Sequence, residues 1–454
     1  MSKQSRIDLA HPSLFVDLYE LTMARAYVAE GMNESAVFEL FFRELPPTRN
    51  YVLACGHTDV LDFLENLRFE DSALEYLRSR KDFPEEFLDY LSRFRFSGDV
   101  YAVPEGTVVF PHEPVIQIHA PLTEAQIIET YVLNQIHFQS VVASKAARIV
   151  TAAQGRPIID FASRRAHGTD AALKVARASY LAGFTGTSNV LAGKTYGIPL
   201  YGTMAHSYVQ AHDDEKEALR RFASLYPNTT LLIDTYDTLD GLRKVIEVVR
   251  DLGPGHRPSA VRLDSGDLAE LARQSRAMLD QAGLNEVKIF ASSDLDEVAI
   301  ARLLDGGAPV DGFGVGTNLA VSRDAPYLDF VYKLVEYAGQ PRFKLSSRKI
   351  LLPGRKQVFR RERDGLIEGD TLAHHSEALE GKALLARVMR DGRRTGTAAP
   401  SLEKIREWVR AQLEALPSEI RALEKHAAGY PVKISRALEA EHDRLRASIE
   451  MAGR

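Results

Sequence analysis

With 454 residues, 45% apolar and 26% charged, the chain has the mix of an ordinary globular protein and exceeds one typical domain. A formal net charge of -5 removes any general attraction for nucleic acid or an anionic membrane, while leaving room for a local cationic pocket. The single cysteine, Cys55, excludes an intrachain disulfide and a thiolate zinc cluster, and points to a reducing, cytoplasmic compartment. The first residues, MSKQSRIDLAHPSL, carry no apolar signal core, and no run reaches the roughly 18 apolar residues of a membrane span.

Apolar residues at three-to-four spacing (Leu14, Leu18, Leu21) predict a helix over 14–30, stopped by Gly31. AVFELFF (36–42) reads as a strand closed by Pro46-Pro47, and helices follow near 59–67, 72–80 and 84–94. A proline-punctuated β-rich piece occupies 98–120. Residues 1–122 are therefore expected to form an N-terminal α/β domain.

From 123 the pattern changes. A long helical segment (124–154) leads into apolar runs separated by helices. The runs end at IIDFASRR (158–165), FTGTSN (184–189), IPLYGTMAHS (198–207), LLIDTYD (231–237), AVRLDSGD (260–267), VKIFASSD (287–294) and VDGFGVGTN (310–318). Seven such endings, with room for return helices and no hairpin chemistry between them, predict a β/α barrel over 123–335. An open doubly wound sheet is less favoured, because no GxGxxG occupies the first strand-to-helix turn.

The remainder, 336–454, is expected to pack partly on the N-terminal domain and to end in amphipathic helices. FKLSSRK (343–349) is short and basic, 357–362 reads as a strand, and charged helices are expected over 402–416 and 418–425, interrupted by Pro417.

In a parallel barrel the carboxyl ends of the strands share one rim. His206 there offers an imidazole as base, ligand or nucleophile, although a helix-capping histidine would fit the same place. Arg164 and Arg165 suit phosphate or carboxylate, and Arg262 lies two residues before Asp264, on the same side of a strand. Asp264 and Asp267 flank a turn suited to a sugar diol or to Mg²⁺ carried in by a polyphosphate. Ser292, Ser293 and Asp294 could serve the pocket or simply cap a helix, with Ser293 or Asp294 at the N-cap. Gly312, Gly314 and Gly316 would let backbone N–H groups approach an anion. Together these describe a pocket for a phosphorylated sugar.

DLYELTMARAY (17–27), FASRRAHG (161–168), GFTGTSN (183–189), GTMAHS (202–207), RLDSGDL (262–268) and GFGVGTNL (312–319) resemble, in that order across about 13–360, the nicotinate phosphoribosyltransferase family. The resemblance implies an irregular β/α barrel of the type II phosphoribosyltransferase kind, with an N-terminal α/β domain and a helical C-terminal extension. It implies a homodimer with shared active sites. The reaction it implies joins nicotinate to 5-phosphoribosyl 1-pyrophosphate, with ATP and Mg²⁺ as cofactors.

Carried over by position, the resemblance makes His206 the histidine phosphorylated by ATP. Tyr19 (from the partner subunit), Phe161, Ser188, Thr203 and Arg262 would hold nicotinate. Arg164, Asp264, Ser292, Ser293, Gly314, Gly316 and Thr317 would hold the phosphoribosyl group, with Mg²⁺ reaching the protein, if at all, through Asp264 or Asp267. Ser188 stands where nicotinamide-using relatives carry an aspartate, and so favours the acid over the amide. The alternatives are a nicotinamide- or quinolinate-using enzyme, or a non-catalytic homologue that binds the same ligands. Lys145, Arg148, His167 and His212 have no assigned role.

Overall fold

The computed structural model describes residues 12–345, 351–396 and 400–452. The chain divides into two compact units, one of them Val142–Pro326 with Ala422–Glu424, the other formed by the remaining N- and C-terminal parts.

In the first part of the chain the helix runs over Leu18–Glu30, later than periodicity suggested, after a short 3-10 turn at Pro12–Leu14. Asp17 stands at its N-cap position but caps nothing, because its carboxylate accepts from the Thr130 hydroxyl at 3.1 Å. Gly31, at φ 67°, supplies the left-handed stop. Strand Ser35–Phe42 is almost wholly buried in the middle of a seven-stranded antiparallel sheet, between Ile116–Pro121 and Phe330–Tyr337. Its only buried acid, Glu39, is paired with Lys356 at 2.8 Å and accepts from Gln117.

The C-terminal part holds more strand than expected. Lys356–Arg363 and Leu366–His374 form a hairpin, and Ala386–Arg390 turns back into Arg393–Arg394. Both turns are Asp-Gly pairs with positive φ at each residue (Asp364 52°, Gly365 81°; Asp391 48°, Gly392 70°), the geometry that matches strand twist in a two-residue hairpin. Helix Leu402–Glu414 forms as expected, Ser418–Arg421 is shorter than 418–425, and a further helix spans Arg436–Ala452. Of the basic stretch 343–349, residues 346–349 lie outside the described ones.

The other unit is built on parallel strands. Ile158–Asp160, Gly186–Thr187, Thr230–Leu232, Ala260–Leu263, Lys288–Ala291 and Gly312–Val315 form one sheet, and a parallel bridge from Thr187 to Leu200 adds a seventh position. All seven expected runs are present. The first strand pairs with the last (Ile158 beside Phe313), so the curled sheet closes there. Its seam lies between the third and fourth runs, where the Thr203 hydroxyl donates to the Thr230 carbonyl. This is an irregular β/α barrel, interrupted at that seam.

Candidate active site

The strand ends of the barrel unit surround a cavity of about 560 Å³. Phe161, Arg164, Ser188, Thr203, Arg262, Asp264, Ser292, Ser293, Gly314, Gly316 and Thr317 all line it. Residues scattered over some 150 positions thus converge because each lies at or just beyond the carboxyl end of a parallel run.

Arg262 and Asp264 project to the same side of their strand, with Nη2 and Oδ2 3.3 Å apart. The Arg262 side chain is only 12% exposed, its Nη1 reaches the Met204 carbonyl at 3.5 Å, and its Nε is buried with no hydrogen-bond partner among the described residues. A guanidinium so sparsely satisfied in a cavity wall is suited to an anionic ligand, which would supply the missing acceptors. Its Cζ also lies 6.0 Å from the centre of the Phe161 ring, so a flat apolar surface and a cation stand side by side.

His206 opens the five-residue helix His206–Gln210. Its neighbour Ala205 lines the cavity, and the imidazole sits against the cavity wall through Asp264, whose Oδ2 is 3.7 Å from Nε2. On the other edge, Nδ1 is 3.2 Å from the Thr235 hydroxyl. Asp264 accepts in addition from the Ser292 hydroxyl at 2.5 Å, so one carboxylate gathers serine, arginine and histidine.

A division of labour repeats at the strand ends, and of the residues not used as caps Ser188, Asp264 and Ser292 line the cavity. Asn189, Asp237, Asp267 and Asp296 each accept from the backbone N–H three residues on and cap the following helix. The polar residues before them, Ser188, Asp234, Asp264 and Ser292, stay at the strand ends. Two expectations change. The helix after Ser292-Ser293-Asp294 is capped by Asp296, because it starts at Glu297. Asp267 is occupied as a cap and does not line the cavity, whereas Asp264 does, as does Asp294. No group of three or more metal-ligating side chains exists among the described residues.

The glycines serve packing as much as anion approach. Gly314 lies within the last strand under the Phe161 ring, and Gly312 lies against Phe290. Gly316 and Thr317 follow at the start of the short helix Thr317–Ala320. Ser188 is held by its own N–H to the Asp160 carbonyl at 2.9 Å, and the Asp160 carboxylate accepts from Thr187 Oγ1 at 2.7 Å. Burial pushes that carboxyl up from its ordinary value, against the pull of the Thr187 hydrogen bond and of one from the Ala162 N–H at 2.7 Å.

Tyr19 belongs to the other unit, on helix Leu18–Glu30, with 46% of its surface exposed. Lys145 is a buried structural cation: its Nζ lies 2.5 Å from Glu297 and 2.8 Å from Asp324, and Arg148 shares the same glutamate at 2.9 Å. His212 bonds the Tyr208 carbonyl through Nδ1 at 2.8 Å, within its own turn. His167 is exposed and does not line the cavity.

Sequence reasoning passed over Asp160, Thr187, Asp234 and Thr235, which hold the site's side chains in place. The signal was there in LLIDTYD, whose first aspartate occupies the position that Asp264 takes in RLDSGD.

Residues 14–137 match the nicotinate phosphoribosyltransferase N-terminal domain family, 157–350 the nicotinate phosphoribosyltransferase family and 374–441 the C-terminal domain of those enzymes. The chain is 58% identical over 434 residues to nicotinate phosphoribosyltransferase pncB2 of Mycobacterium tuberculosis, covering 96% of this chain and 94% of that protein. It is 42% identical over 383 residues to the Bacillus subtilis nicotinate phosphoribosyltransferase, covering 82% and 78%. The crystal structure of human nicotinic acid phosphoribosyltransferase superposes with a TM-score of 0.84 at 30% identity, over 94% of this chain and 99% of that one. The nicotinate-nucleotide pyrophosphorylase of Pyrococcus furiosus gives 0.75 at 26% identity, over 91% and 99%.

Proposed function

The chain belongs to the nicotinate phosphoribosyltransferase family, and from that premise we propose that its barrel cavity joins nicotinate to 5-phosphoribosyl 1-pyrophosphate, coupled to ATP hydrolysis through His206. The observation that carries the assignment of roles is the largely buried Arg262 guanidinium, its Nε without a partner among the described residues, beside the Phe161 ring in a wall that also holds Thr203 and Ser188. Arg262 takes the pyridine carboxylate, Phe161 one face of the ring and Thr203 the edge, while the partner subunit's Tyr19 covers the other face in a homodimer.

Ribose phosphate then falls to Arg164, Ser293, Gly314, Gly316 and Thr317, and the ribose hydroxyls to Asp264 and Ser292. The pyridine nitrogen forms its bond to ribose C1 as the C1–O bond to pyrophosphate breaks with the electron pair leaving on oxygen. An oxocarbenium-like transition state of this kind is served by alignment and charge rather than by a proton-transfer triad. Mg²⁺ would screen the pyrophosphate charge, with the phosphate oxygens as its main ligands and Asp264 as a carboxylate of the cavity wall that could reach it.

In the coupling step an imidazole nitrogen of His206 attacks the γ-phosphorus of ATP and ADP leaves; water later cleaves the N–P bond. The substrate is the acid rather than the amide, because Ser188 presents no negative charge to the pyridine carboxylate. The cytoplasm is the compartment where these substrates meet, and among the described residues no helix is long and apolar enough to cross a membrane.

The test is product analysis with purified protein, 5-phosphoribosyl 1-pyrophosphate and ATP, offering nicotinate, nicotinamide or quinolinate in turn and counting phosphate released per mononucleotide. Mononucleotide from nicotinate alone, with phosphate release that depends on His206, supports the reading. Equal or better use of nicotinamide or quinolinate, or no product from any of them, rejects it.

A further inference from the structure

His206 has to be held still, and little around it does so. Its side chain is 39% exposed and stands on a helix of only five residues, too short to be stable alone. The restraint comes from a neighbouring strand end. Thr235 Oγ1 is 3.2 Å from Nδ1. The residue before it, Asp234, accepts through Oδ2 from the Asp264 N–H at 2.9 Å and from the Ser265 hydroxyl at 2.6 Å. Those two bonds fix the turn that presents the Asp264 carboxylate to the opposite edge of the ring, 3.7 Å from Nε2.

We propose that the Asp234-Thr235 pair is the positioning device for His206, clamping one edge of the imidazole directly and the other through the Asp264 turn. A hydroxyl both donates and accepts, so Thr235 holds the ring in either neutral tautomer. The Asp234 oxygen Oδ1 is buried with no hydrogen-bond partner among the described residues. An orphaned carboxylate oxygen is a stability cost, borne here where it serves the geometry of the site. A fixed ring matters because attack on phosphorus requires the nitrogen to stand in line with the leaving oxygen. That catalytic meaning rests on His206 being the phosphoryl acceptor; the restraint of the ring does not.

The test uses the full-length protein and its Thr235→Val, Thr235→Ser and Asp234→Ala variants, with thermal melting as a control for folding. In the absence of ATP, diethyl pyrocarbonate modification of His206 is followed by mass spectrometry, with the exposed His167 as internal reference. We expect Thr235→Val to raise the His206 rate about fivefold, the factor one ordinary hydrogen bond supplies, and Thr235→Ser to stay within about twofold of wild type. Asp234→Ala should move in the direction of Thr235→Val. In steady state, Thr235→Val should lower kcat about tenfold with the nicotinate KM within about twofold, and serine should restore it.

An unchanged His206 rate in both Thr235→Val and Asp234→Ala overturns the proposal, as does a serine variant that behaves like valine. If the modification rates respond as expected but wild type takes no phosphoryl group from ATP, the clamp stands and the phosphohistidine reading falls.

Discussion

The Phe161 ring lies so close over Gly314 that a Cβ at 314 would stand 2.5 Å from Phe161 Cε2 and 2.6 Å from Cδ2. The glycine is therefore required by the ring. Gly314→Ala should push Phe161 into the cavity and away from Arg262. The nicotinate KM should rise about tenfold, and stability should fall by about 1–3 kcal/mol, the usual cost of overpacking. A KM within twofold of wild type would remove Phe161 from the nicotinate site.

Ser188 lines the cavity with a neutral side chain. Ser188→Asp should weaken nicotinate use about tenfold or more through repulsion of the carboxylate, while leaving the melting temperature within a degree or two, since the side chain is exposed. Unchanged nicotinate kinetics would show that residue 188 does not face the carboxylate.

Lys145, to which the sequence assigns no role, is a buried structural cation. Its Nζ is paired with Glu297 and Asp324 in a side chain 1% exposed. Lys145→Met would strand buried carboxylate charge and should cost about 3–5 kcal/mol in denaturant unfolding, without altering the KM of either substrate in the folded fraction. A large KM change at normal stability would show that Lys145 acts on the active site.

Glu20 gives the fold a pH dependence. Burial, opposed by hydrogen bonds from Thr130 and reinforced by the charges of Glu129 and Asp17, pushes its carboxyl up to about 8. The folded state then binds the proton more tightly than the unfolded chain. Its stability contribution is full below the ordinary value of 4.5 and is lost as pH rises toward 8. Glu20→Gln mimics the protonated form, so between about pH 5 and 8 wild type should lose several degrees of Tm that the variant keeps. Parallel Tm profiles for the two proteins would contradict this.

The barrel was readable because parallel strands buried on both faces leave continuous apolar runs, and each run ends where a polar residue must appear. The lining of the cavity followed from those endings. Which acid of each pair serves the pocket did not, since Asp264 and Asp267 differ only in whether a helix N-terminus claims the side chain. One arm of the hairpin around Asp364-Gly365 was read as a strand over 357–362, but its partner Leu366–His374 was not, although the Asp-Gly turn between them signals it. The clamp on His206 lay beyond periodicity altogether, because Thr235 reaches it across a gap of 29 residues.

The most direct measurement is exposure of wild type and His206→Ala to γ-labelled ATP, followed by hydrolysis of the isolated protein in acid and in base. An acid-labile, base-stable label on wild type and none on the variant is the predicted result. Equal labelling of the two proteins, or no label on a wild type that turns over nicotinate with release of phosphate, would contradict His206 as the phosphoryl carrier.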